Sequence, residues 1–85
     1  MAHNTKNDDV SKELGARIRL HRELRGIDVS ELARALGVSP SLVSMWERGK
    51  ARPSLESIHA MSRREFKVHR SALLEGLPYP DKSAA

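Results

Sequence analysis

Apolar residues recur three and four positions apart along most of the chain, and almost no stretch alternates as a strand would. A first helix is predicted over residues 11–25. Leu14 and Ile18 lie four apart there, and His21, Arg22 and Arg25 continue the same face. Asp8, Asp9 and Glu13 sit where a helix dipole favours negative charge, and Gly26 offers a left-handed stop. A second, shorter helix is predicted over residues 29–36. Asp28 and Glu31 have capping-box spacing, Leu32, Ala33 and Leu36 form the apolar stripe, and Gly37 closes it. A third helix follows at once, with Ser39 as N-cap and Pro40 in the first helical position, where its missing N–H does no harm. Val43 and Trp46 mark its buried face and Gly49 its end. After the basic loop Lys50-Ala51-Arg52-Pro53, Ser54 caps a fourth helix reaching to about Arg64, with Leu55, Ile58 and Met61 inward. Phe66 and Val68 lead into a last short helix around residues 70–75, carrying Leu73 and Leu74 and ended by Gly76 and Pro78.

Residues 1–10 are polar and aperiodic and read as a flexible arm. Residues 78–85, with two prolines, read as a frayed tail. Residues 11–77 then form a single all-α domain of four to five short helices joined by tight turns. At 85 residues and 9.5 kDa the core is thin, with only one Trp, one Tyr and one Phe to fill it. Trp46 is three residues from Val43 on the inward face, so it reads as core rather than as a stacking platform, and Met61 likewise.

Several function classes drop out. With no cysteine there is no disulfide framework, no thiolate zinc site and no Cys nucleophile. His3, His21, His59 and His69 include no pair three or four apart, so no metal is expected. The serines read as caps or surface residues, and none stands in a Gly-x-Ser-x-Gly turn. Gly49-Lys50 lacks the rest of a phosphate loop. Neither an enzyme nor a cofactor is expected. No apolar run approaches the roughly 20 residues of a membrane span, and the polar start of the chain is no secretory signal. The expectation is a cytoplasmic protein of bacterial or phage origin, associated with the nucleoid and not with a membrane.

Two short helices joined by a tight glycine turn cross steeply, which requires a small residue such as Ala33 where they meet. In the segment VSELARALGVSPSLVSMWER the third helix is left with Pro40, Ser41, Ser44 and Met45 outward. These residues are short, polar or flexible, and such a helix fits a major groove. The charge agrees. The net +4 of the chain is accounted for by residues 11–52, which hold nine basic and five acidic side chains. Arg48, Lys50 and Arg52 cluster at the end of the third helix, where the helix dipole gives part of that cluster a structural reason. The spread of Arg17, Arg19 and Arg25 around the first helix reads as a solvated face.

From Leu14 to Leu74 the chain resembles the Cro/phage-repressor, or xenobiotic response element, helix-turn-helix family. The matching pieces are LGARIRLHRELRG, ELARALGVSPSLVSMWERGKARPSLESI and a closing SALLEG. The resemblance implies a lambda-repressor-like fold and a transcriptional regulator, expected to be a repressor, bound to double-stranded DNA. It makes Pro40, Ser41, Ser44 and Met45 base-facing. It places Ser39, Leu42, Arg48, Lys50 and Arg52 on the phosphate side, where Ser30 or the backbone stands in for a glutamine contact that is otherwise absent, and pairs Arg22 with Glu47 in a structural salt bridge. One such module reads only a few base pairs, so a homodimer on a pseudo-palindromic operator is expected, with Leu74, Leu77 and Tyr79 as its candidate surface. Those three equally suit closure of the domain's own core.

Two departures stand out. Val29 replaces the glutamine that relatives usually use to clasp a phosphate, and SRREFKVH is one residue longer than the usual end of the fourth helix. Met45 and Leu42 replace commoner polar residues and suit apolar contact with thymine methyl groups. Val29 and the weakly polar face also suit a second reading, an antitoxin that masks a toxin or another protein-interaction adaptor on the same fold.

Overall fold

The computed structural model describes residues 5–63 and 66–77. Among them are five helices and no strand: α1 (Thr5–Leu24), α2 (Val29–Leu36), α3 (Pro40–Glu47), α4 (Leu55–Ala60) and α5 (Arg70–Leu74). One core joins all five. Leu14 and Ile18 of α1, Leu32 and Ala33 of α2, Val43 and Trp46 of α3, Ile58 of α4 and Leu73 of α5 are buried with Met61, Phe66 and Val68.

The local signals act as their chemistry requires. Asp28 accepts the Glu31 N–H at 2.8 Å while the Glu31 carboxylate accepts the Asp28 N–H at 2.8 Å, a complete capping box at the start of α2. Such caps contribute about 1 kcal/mol. Gly37 takes φ 74° and turns the chain from α2 into α3, a conformation in which a Cβ is costly.

Two boundaries depart from expectation. The first helix begins at Thr5, so residues 5–10 are helical rather than an arm. Val10 explains this: it lies one turn before Leu14 and is only 6% exposed, so a single apolar side chain draws the extra turns onto the body. The fourth helix ends at Ala60, not near Arg64. The Val68 N–H donates to the Met61 carbonyl at 2.8 Å, folding the chain back so that Phe66 and Val68 are buried. Lys67 between them has φ 44°, an uncommon value for a residue with a side chain. Glu65, Tyr79 and the whole of 78–85 lie outside the described residues.

The helices α1 and α3 make the main contact of the fold, α2 packs on α3, and α5 meets α1 and α4. The α1–α3 approach depends on Gly15. A Cβ there would run into the Trp46 carbonyl oxygen and stand 3.0 Å from the Glu47 carbonyl carbon. Arg17 of α1 fastens α5: its Nη1 donates to the carbonyls of Leu73 at 3.0 Å and Glu75 at 2.8 Å. That satisfies acceptors a helix end leaves open, so Arg17 is more than a member of a solvated face. The other end of α5 is capped by His69, whose Nδ1 accepts the Ser71 N–H. Leu20 and Leu24, 53% and 70% exposed, lie about half a helical turn from Gly15 and Arg22, on the side of α1 away from α3.

His21 couples this framework to pH. It is half-buried, and Arg25 donates to both its Nδ1 (3.3 Å) and its carbonyl (3.0 Å). Burial first, and the Arg25 charge second, hold the imidazole below its ordinary 6.5. The unfolded chain therefore binds the proton more readily. Stability is full above pH 6.5 and is lost as pH falls through the lowered folded value. The urea midpoint should drop between about pH 7.5 and about pH 5.5. His21→Gln should flatten that drop, and an equally steep drop in the variant would refute the assignment.

Candidate nucleic-acid interface

The site is built from α3 outward. Ser39 is the N-cap of α3, its Oγ accepting the Leu42 N–H at 3.1 Å. With Val43 and Trp46 fully buried, the helical period leaves a single face open. Pro40, Ser41 and Met45 are exposed and Ser44 is half-buried on that face. The open face carries no charge, so its contacts must come from hydroxyl groups, a proline ring and a thioether.

The carboxyl end of α3 is fixed by a bidentate ion pair. Arg22 Nε donates to Glu47 Oε2 at 2.6 Å and Nη2 donates to Oε1 at 3.1 Å, while Nη1 reaches the Ile27 carbonyl at 2.9 Å. The two side chains are only 13% and 8% exposed. The bond to Glu47 raises the Arg22 pKa further above its already high ordinary value, so the guanidinium stays charged throughout the physiological range. It ties α1 to α3 and to the turn before α2 at once.

Beyond that pair the chain turns sharply. Gly49 adopts φ 75°, and the Lys50 N–H donates to the Met45 carbonyl at 2.8 Å. Arg48 and Lys50 are exposed on either side of it. Arg52 is half-buried, its Nε donating to Ser11 Oγ at 2.9 Å. Both oxygens of Glu47 are already taken by Arg22, so this carboxylate does not serve the cluster.

The residues expected on the phosphate side differ in their exposure. Ser30 is exposed in the first turn of α2 and Ser39 at the start of α3, next to the open face. Leu42 is half-buried, its side chain packed against the core and its N–H accepted by Ser39. Val29 also packs against the core, which gives the valine a structural reason to be there. Leu74 and Leu77 are half-buried against the same core. Gly15 and Arg17 play parts the sequence reading did not assign. A glycine inside a helical pattern is itself a signal of close backbone approach, whereas nothing local marks Arg17.

Among the described residues, no group of three or more His, Cys, Asp or Glu side chains stands close enough to hold a metal ion. Among them too, no helix is long and apolar enough to cross a membrane.

Comparison with known proteins follows the same segment. The helix-turn-helix family profile matches residues 18–64, which contain α2, α3 and α4 whole. No curated protein matches the chain. Among solved structures, the chain is similar to the restriction-modification controller protein C.AhdI from Aeromonas hydrophila. The TM-score is 0.67 at 29% identity, covering 76% of this chain and 96% of that one.

Proposed function

This chain belongs to the helix-turn-helix family, and from that premise we propose that it is a sequence-specific DNA-binding transcriptional regulator, a repressor that acts as a homodimer on a pseudo-palindromic operator. The observation that carries the reading is the open face of α3. Val43 and Trp46 anchor the helix, and Pro40, Ser41, Ser44 and Met45 are the side chains it turns away from the core. In this reading α3 enters the major groove. Ser41 and Ser44 hydrogen-bond base edges, and Met45, with Pro40, packs on thymine methyl groups. Arg48, Lys50 and Arg52 meet the phosphates beside the groove, with Ser30 and Ser39 at the amino ends of α2 and α3. Leu42 supports the helix from behind. The likeness to a controller protein favours a regulator over an enzyme. Leu74, Leu77 and Tyr79 remain the proposed pairing surface, since half-buried leucines can serve the core and a neighbour together. Val29 packs against the core, and a toxin-masking or adaptor module on the same fold is the alternative reading.

The test is a salt titration of binding to duplexes of mixed sequence, with the mass of the complex measured alongside. Lys50→Ala should weaken every sequence about equally and flatten the logarithmic salt slope by about one. Met45→Ala or Ser41→Ala should instead change which sequence is preferred, each altered contact discriminating by about 1–3 kcal/mol. Absence of binding by the parent protein at low salt would overturn the reading.

A further inference from the structure

The cationic edge beside α3 does not end with the loop that follows it. The amino-terminal part of α1 lies against that loop at two adjacent residues. Ser11 Oγ accepts the Arg52 Nε–H at 2.9 Å. At the next position, the Lys12 stem crosses directly over Gly49: a Cβ on Gly49 would stand 2.8 Å from Lys12 Cγ and 3.0 Å from its Cα. Gly49 therefore meets two demands at once, a left-handed turn with φ 75° and room for a lysine stem. The Lys12 side chain is exposed, and the residues on either side of Gly49 are Arg48 and Lys50.

We propose that Lys12 is a phosphate contact of the DNA-binding surface, supplied by α1 rather than by the helix-turn-helix segment. This rests on the DNA-binding reading above. Three exposed cationic side chains, Lys12, Arg48 and Lys50, stand around Gly49, and the carboxylate of Glu47 is fully engaged by Arg22. The dipole of a helix end amounts to roughly half a charge. It accounts for one of these three cations at most and leaves the other two for a polyanion. A DNA backbone presents a phosphate about every 1.7 Å of duplex axis, so a cluster of cations along one edge suits it better than a single small anion. Because a phosphate contact reads no base edge, its contribution is independent of sequence.

The experiment compares the parent protein with Lys12→Ala, Lys12→Arg and Lys67→Ala on duplexes of several sequences over a range of salt. Counterion release predicts that losing one phosphate contact lowers the logarithmic salt slope by about 0.9, which is about eightfold in affinity at 0.1 M salt. Lys12→Ala should show that loss on every sequence and Lys12→Arg should restore most of it. Lys67→Ala, which removes an equal charge from the loop between α4 and α5, should leave slope and affinity as in the parent. Parent-like slope and affinity for Lys12→Ala would overturn the proposal. So would an equal loss in Lys67→Ala, which would mean that net charge alone is being read. If the parent itself fails to bind at low salt, the functional reading falls and not merely the role of Lys12. A circular-dichroism melt of each variant separates lost contact from lost fold.

Discussion

Gly15→Ala should destabilise the domain by about 3 kcal/mol, the upper part of the range for overpacking a rigid contact. In an exposed helix interior the same change stabilises by up to about 1 kcal/mol, because alanine has the better helix propensity. Here the sign reverses. The added Cβ would collide with the Trp46 carbonyl oxygen, a backbone atom that cannot rotate away as a flexible side chain could. Relief requires α1 and α3 to separate, which opens the contact that buries Leu14, Ile18, Val43 and Trp46. A small domain commonly holds only about 5 kcal/mol in all, so the melting temperature should fall by more than about 10 °C. Gly26→Ala is the control. Nothing lies within 4 Å of a Cβ at that position, so only the cost of φ 68° applies. Equal losses in the two variants would show that helix separation is not the cause.

Arg22→Ala should cost about 3–5 kcal/mol, the penalty for leaving a buried charge without its partner. Glu47 would keep its carboxylate, 8% exposed, with both oxygens deprived of donors, and the Ile27 carbonyl would lose one as well. The size of that loss does not measure the net worth of the pair. Arg22→Met combined with Glu47→Leu removes both charges and keeps most of the volume, and it should return to within about 1 kcal/mol of the parent. Urea unfolding of the single and double variants checks both statements. A loss below about 1 kcal/mol for Arg22→Ala would mean that water reaches Glu47 freely.

What could be read from the sequence follows the range of each interaction. The capping box of Asp28 and Glu31, the Ser39 cap and the turn at Gly37 are settled within four residues, and all were legible. The Arg22–Glu47 pair spans 25 positions, and no period connects them; it was visible only through likeness to a family. Gly15 announced itself as a glycine within a helical pattern, but its partner, the carbonyl of Trp46, has no residue-type signature. The same holds for Arg17, whose acceptors are the carbonyls of Leu73 and Glu75. Lys12 was legible as a charge and not as a neighbour of Gly49. The early start of α1 was hidden because one valine in a polar segment makes no stripe, although Val10 is buried in the structure. The open face of α3 needed only the helical period from Val43 and Trp46.

The position of Leu20 and Leu24 constrains how two copies can assemble. They lie on the side of α1 away from α3, so a two-fold axis through that stripe would set the α3 helices of the two protomers back to back, aimed in opposite directions. Such a pair could bridge two separate duplexes but could not lay both α3 helices into one side of the same duplex. The proposed dimer on a single operator is therefore expected to place its axis away from the leucine stripe.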